Sequence, residues 1–274
     1  MLKRAIFGAV YVAVIIAGIL GGPYALLLLL LLLSTLAVNE FLMMVAPPAE
    51  SRKEAAVGLL LRSLDCLGAA VMVVTFWNPN MIFGGFMLYL LYVVARLSVQ
   101  LWLHDRDAIR SLGESFMAQL YIALPISLMS YVCFFTPHLL LLLFILVWVN
   151  DTFAYLVGSK FGRHRLWERI SPKKSWEGFW GGLVATVICA ALCGYFANGW
   201  FGGFAEWKMA LIGLIVTVSG TIGDLVESMI KRTVGVKDSS HLIPGHGGIL
   251  DRIDSILMVI PSVIIVVSLI EYVF

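Results

Sequence analysis

Eight consecutive leucines occupy residues 26–33, and they are the centre of only one of nine long apolar runs in the chain. The runs cover 5–20, 23–43, 59–77, 81–99, 116–135, 139–157, 179–196, 209–225 and 253–273. A helix needs roughly 20 apolar residues to cross ~30 Å of hydrocarbon, and these runs have about that length. They do not alternate apolar and polar residues, so they do not read as strands of a membrane barrel. With 61% hydrophobic and 13% charged residues, the chain also lies outside the range of soluble globular domains. The expected fold is all-α: one polytopic transmembrane helical bundle of about nine spans over residues 1–274.

Placement of basic residues orients such a bundle better than net charge does. With the N-terminus in the cytoplasm, alternate segments collect Lys3, Arg4, Arg52, Lys53, Arg62, Arg96, Arg106, Arg110, the six basic residues from Lys160 to Lys174, and Lys231, Arg232, Lys237 and Arg252. Of the 19 basic residues, 18 fall on that side and Lys208 alone lies opposite. A cytoplasmic N-terminus and an external C-terminus are therefore expected. The first run is read as a retained span rather than a secretory signal, because it leads almost directly into the leucine tract without a clear small-residue cleavage site. Cys66, Cys133, Cys189 and Cys193 all fall in spans without metal-ligand spacing, which predicts packing roles. No internal repeat is visible.

The two halves differ in kind. Residues 1–137 supply spans with short or weakly patterned loops, whereas 138–274 concentrate charge, glycine and proline around 150–182 and 221–255, where function is expected. Asp224 and Glu227 stand three residues apart at the inner end of the eighth span, and Asp251 and Asp254 repeat that spacing before the ninth. In a helix each pair shares a face. An unpaired carboxylate in the membrane costs roughly 2.5–3.5 kcal/mol, so something positive belongs among them. Either Lys231, Arg232, Lys237 and Arg252 form a salt-bridge network with these acids, or the carboxylates are oxygen ligands for a hard cation such as Mg²⁺. Between the acidic pairs lies Pro244-Gly245-His246-Gly247-Gly248. Its glycines permit close backbone approach, so successive N–H groups can form an anion-binding concavity, although a plain re-entrant turn has the same composition.

A second constellation begins with Asn150 and Asp151 near the inner end of the sixth span and continues through Ser171-Pro172-Lys173-Lys174-Ser175-Trp176-Glu177-Gly178. Much of its positive charge satisfies the positive-inside rule or contacts anionic lipid. Lys173 and Lys174, in a turn bracketed by Pro172 and Gly178, are the better candidates for phosphate. Asp151 is not explained by topology. His246 is held as a site residue without a defined role, since a lone loop histidine more often makes a structural hydrogen bond.

At these positions the sequence resembles the phosphatidate cytidylyltransferase family, the CDP-diacylglycerol synthases. Ser228, Lys231, Arg232, Lys237, Asp238, Ser240, Ile243, Pro244, His246, Gly247, Gly248, Asp251, Arg252 and Asp254 fit that family's signature in order and spacing. The stretch from Asp151 to Gly178 is similar as well, with Ser175 where threonine is common. The first third is matched mainly by hydropathy. The resemblance implies Mg²⁺-dependent attack of a phosphatidic acid oxygen on the α-phosphorus of CTP, with pyrophosphate leaving. A phosphomonoester's second ionisation falls near ~6, so the nucleophile is already largely anionic and needs no strong general base. The obstacle is repulsion between anions, which cations and basic side chains offset.

On this reading Asp224, Asp251 and Asp254 are expected metal ligands, with Asp151 and Glu227 as weaker ones. A paired site with a second cation extends the same expectation. Asp224, Asp251, Asp254, Lys231, Arg232 and His246 form the expected catalytic set. Lys173, Lys174, Ser228, Lys237, Asp238, Gly247, Gly248 and Arg252 are expected to bind substrate. The resemblance further implies a homodimer in membrane lipid; the site is expected to face the cytoplasm, where CTP is found, a bacterial plasma membrane is expected from the lack of a long soluble N-terminal extension, and no nucleic-acid partner is expected. A cation or proton transporter using Asp151 and Asp224 is the main alternative of another class, but transport gives no reason for the cytoplasmic lysines and glycines. A CTP-using lipid kinase, which would release CDP, and an ether-lipid cytidylyltransferase are alternatives of the same broad class.

Overall fold

The computed structural model describes residues 2–103, 107–135, 137–240, 242 and 247–273. Helices stand at all nine expected places. They are α1 (Leu2–Leu20), α2 (Pro23–Val45), α3 (Arg52–Trp77), α4 (Ile82–Leu103), α5 (Ala108–Ala118) continuing into α6 (Leu124–Phe135), α7 (Pro137–Phe161), α8 (Trp176–Ala197), α9 (Glu206–Thr233) and α10 (Leu250–Val273). Eight spans among the described residues are long and apolar enough to cross a membrane, and α1 contributes a shorter apolar stretch, Phe7–Leu20. This is an integral membrane protein.

The helices outrun the apolar runs at their charged ends. α3 begins seven residues before its run, at Arg52, and α9 continues eight residues beyond its run to Thr233. Hydropathy marks the thickness of hydrocarbon, whereas the end of a helix is set by capping. At α3 the Ser51 hydroxyl accepts from Glu54 N (3.2 Å), and Glu54 in turn accepts from Glu50 N (2.8 Å), a variant of the reciprocal capping box. Gly22, at φ 96°, makes the tight α1–α2 turn, and Pro23 then opens α2, where its missing N–H costs nothing.

The sequence places Lys173 and Lys174 in a turn, but they lie in a two-stranded antiparallel ribbon, β1 (Arg165–Trp167) with β2 (Ser171–Ser175). Pro172 is tolerated because a two-stranded ribbon has only edge strands. Glu177 ties the ribbon to α8 by accepting from Arg163 N (3.1 Å), His164 N (3.2 Å) and His164 Nδ1 (2.7 Å). The Ser175 hydroxyl accepts from Gly178 N (3.1 Å) and so caps α8.

The chain divides into two compact units, Met1–Phe134 with Asp238–Asp251, and Phe135–Lys237 with Arg252–Phe274. The first packs α1 through α6. At its centre lies an ion pair that the topology reading did not anticipate. Arg96, assigned above to the loop charges, is 1% exposed inside α4 and bonds Asp65 Oδ1 at 3.1 Å, so it is not a loop charge. Tyr92 Oη (2.9 Å) and Ser115 Oγ (2.7 Å) also donate to that oxygen, while Arg96 reaches Gln100 (2.8 Å) and Ser111 Oγ (3.0 Å). A π turn at Gln119–Ala123 joins α5 to α6, and Gln119 Nε2 donates to the Asp65 carbonyl at 2.8 Å. π turns break the helical register locally, and here one presents a buried amide to a neighbouring helix.

The second unit packs α7, α8 and α9 through small residues. A Cβ on Gly178 would meet Ala154 O at 2.7 Å, one on Gly182 would meet Asn150 Oδ1 at 2.6 Å, and one on Gly213 would meet Thr186 O at 3.0 Å. Such close backbone approach is the usual means of joining helices in lipid, where hydrophobic burial provides little drive. Cys66, Cys133, Cys189 and Cys193 are free thiols within helices, as expected of packing residues.

Candidate active site

In the second unit, α7, β2, α8, α9 and α10 bring charged side chains together. Lys174 Nζ on β2 lies 2.5 Å from Asp224 Oδ2 on α9, and Asp224 Oδ1 accepts from Ser228 Oγ at 3.2 Å. One turn further along α9, Lys231 Nζ lies 2.5 Å from Oε2 of the fully buried Glu227. Asp254 on α10 lies within electrostatic reach of Asp224, Glu227 and Asp151, and Asp151 in turn within reach of Lys174 and Arg252. The Asn150 side chain hydrogen-bonds Asp151. Close approach of α9 to α10 makes this possible, because a Cβ on Gly223 would meet Asp254 O at 2.6 Å.

Four carboxylates and three basic groups thus interleave at one end of this unit. Sequence spacing found all of them, and the structure gathers Asp151, Lys174, Asp224, Glu227, Lys231, Arg252 and Asp254. Arg232 and Lys237 are exposed, and Arg232 Nη1 donates to Val236 O in the loop after α9 (3.0 Å). Lys173 is exposed on β2. His246 lies outside the described residues.

Asp251 and the described glycines stand in the first unit. Asp251 Oδ2 accepts from Ser239 N (3.0 Å), Ser239 Oγ (2.7 Å) and Gly248 N (2.8 Å). Gly247 has φ 79°, and a Cβ there would collide with Asp251. The N–H groups of Gly248, Ile249 and Leu250 are thus turned on the protein's own carboxylates. The second of these is Glu40 of α2, which the sequence reading missed. It is 5% exposed, accepts from Ser239 Oγ, and receives Ile249 N at 2.9 Å and Leu250 N at 3.2 Å. The signal available in the sequence was a lone carboxylate inside an apolar span.

The oxygen-only donor set of Asp151, Asp224, Glu227 and Asp254 has the right chemistry for a hard divalent cation. Among the described residues no three Asp, Glu, His or Cys side chains converge on one metal-sized point, and the group standing against Asp224 is the Lys174 ammonium. The set fits a cation in the kind of its donor atoms.

The architecture defines a membrane-embedded protein with an acidic and basic site at the ends of its spans. A model of the cytidylyltransferase family matches residues 2–270, and the chain belongs to that family. Relatives carrying the name phosphatidate cytidylyltransferase are similar over 124 residues: 46% identical in Staphylococcus saprophyticus, 47% in Staphylococcus aureus and 48% in Haemophilus influenzae. That stretch covers 45% of this chain and 46%, 46% and 43% of the respective relatives, so the chain spans about half the length of the curated relatives it matches.

Proposed function

We propose that the protein is a phosphatidate cytidylyltransferase that converts CTP and phosphatidic acid to CDP-diacylglycerol and pyrophosphate. The observation that carries this reading is the interleaving of Asp151, Asp224, Glu227 and Asp254 with Lys174, Lys231 and Arg252 in a chain of this family. Like charges gathered so closely are costly unless a ligand of opposite sign completes them. A phosphate-rich nucleotide supplies negative charge to the basic groups, and a divalent cation supplies positive charge to the acids.

A phosphatidate oxygen forms a bond to the α-phosphorus of CTP while the bond from that phosphorus to the bridging oxygen breaks, and pyrophosphate departs with the electron pair. Asp224 and Asp254 would hold Mg²⁺, with Asp151 and Glu227 beside them; Asp251, three residues before Asp254, belongs to the same proposed set through its sequence spacing. When bound, the cation neutralises charge developing on the leaving group. Lys174 sits on Asp224 and is placed to exchange that carboxylate for a phosphate oxygen. Lys231 and Arg252 hold further phosphate oxygens, and the exposed Lys173, Lys237 and Arg232 draw the nucleotide toward the site. Ser228 fixes the Asp224 carboxylate by donating to Oδ1.

We infer a cytoplasmic N-terminus, a site facing the cytoplasm of a bacterial plasma membrane, and a homodimer. The orientation is supported by the basic residues that remain one-sided after Arg96 is removed from the loops.

The test uses detergent-purified protein, phosphatidic acid and CTP labelled in the cytosine ring, with Mg²⁺ or EDTA. Equal appearance of label in lipid and pyrophosphate in water, dependent on Mg²⁺, is expected. Release of CDP with unlabelled phosphorylated lipid would replace this reading with a kinase. Ion flux in liposomes without CTP consumption would replace it with a transporter.

A further inference from the structure

The residue that precedes α10 has an apolar side chain, which cannot cap a helix. The N–H groups that open a helix need acceptors, usually a Ser, Thr, Asp or Asn just before it, and the residue before Leu250 is Ile249. Glu40 supplies that acceptor from α2. Its Oε2 takes the Ile249 N–H and its Oε1 takes the Leu250 N–H and the Ser239 hydroxyl. The backbone lies so close that a Cβ on Gly248 would overlap the Glu40 carboxylate.

Asp251 holds the other side of the same junction through Ser239 and Gly248. Ser239 stands between the two carboxylates: its N–H donates to Asp251 and leaves its single hydroxyl hydrogen free to serve Glu40, so one residue links both acids into one clasp. The clasp pins positions 239 and 248–250, the two ends of the glycine-rich segment. A buried carboxylate is costly without partners, and here its partners are the donors that would otherwise leave the α10 terminus unsatisfied.

We propose that Glu40 is a positioning residue for cytidylyl transfer: it fixes the start of α10, the helix that carries Asp251, Arg252 and Asp254, without itself touching substrate. The proposal rests on the cytidylyl-transfer reading above, and its tether can be measured without activity.

The decisive variant is Glu40→Gln in the full chain, because it keeps the shape of the side chain while setting an amide donor against a backbone donor at one of the two positions. Amide exchange at Ile249 and Leu250 is expected to quicken about tenfold or more. The kcat for lipid labelling is expected to fall roughly 10–100-fold, as for partners that orient a working ligand, with the KM for CTP moving less than about threefold. Glu40→Gln combined with Ser239→Ala should lose little beyond the worse single variant, because both break one clasp. Unchanged exchange at 249–250 would show that the tether is absent. A lowered melting temperature with unchanged kcat per folded molecule would leave Glu40 a structural residue only and overturn the positioning role. An inactive wild-type protein would sink the cytidylyl-transfer reading, while the exchange result would still decide the tether.

Discussion

Asp65 in the first unit and Asp254 in the second are both carboxylates on membrane helices, yet they are surrounded in opposite ways. Asp65 is enclosed by donors: a guanidinium, a phenol and a serine hydroxyl all meet one oxygen. Asp254 is surrounded by other acids, with basic groups reaching the cluster from flexible lysine stems. The first arrangement is electrically complete and fixes α3, α4 and α5 to one another. The second gathers four acids and three basic groups among the described residues, and the cytidylyl-transfer reading proposed above makes it the place where nucleotide and cation bind. Burial alone does not separate the two, since Arg96 and Glu227 are equally hidden. The nature of the neighbours does.

Four substitutions sharpen this contrast. Arg96→Met should have the largest effect, lowering stability by about 3–5 kcal/mol because it leaves Asp65 buried and uncompensated. Thermal unfolding in detergent measures this, and a loss below about 1 kcal/mol would remove the distinction between closed and open charge sites. Asp254→Asn should fold with normal or raised stability, since it relieves repulsion, but should lose turnover by roughly 10²–10³-fold. A destabilised yet active Asp254→Asn would reverse the assignment of the two regions. Lys174→Met should raise the KM for CTP by roughly tenfold, the scale of one charge-assisted contact, with kcat changing less. Lys208→Ala should be nearly silent, within about 0.5 kcal/mol, because the contact its ammonium makes is with the Trp207 ring, at 5.6 Å from the centroid.

How much of this was legible in the sequence depended on the range of the interaction. Apolar runs located all nine helices because each span satisfies its own backbone. Asp224, Glu227 and Lys231 could be read because they follow local helical spacing along α9. The ribbon holding Lys173 and Lys174 was not legible, since Pro172 argues against a strand until the partner strand is known. Arg96 was mistaken for a loop charge because periodicity does not say that Asp65, 31 residues earlier, faces it. Glu40 was visible only as an anomaly, as its partners lie 199 to 210 residues downstream.

That separation has a bearing on biogenesis. At about 5–20 residues per second, the ribosome needs on the order of 10–40 s to travel from Glu40 to Ile249, 209 positions later. Through that interval α2 must enter the bilayer with an acid whose final partners have not been made. The growing protein therefore carries an open polar position in α2, and only the emergence of α10 closes it.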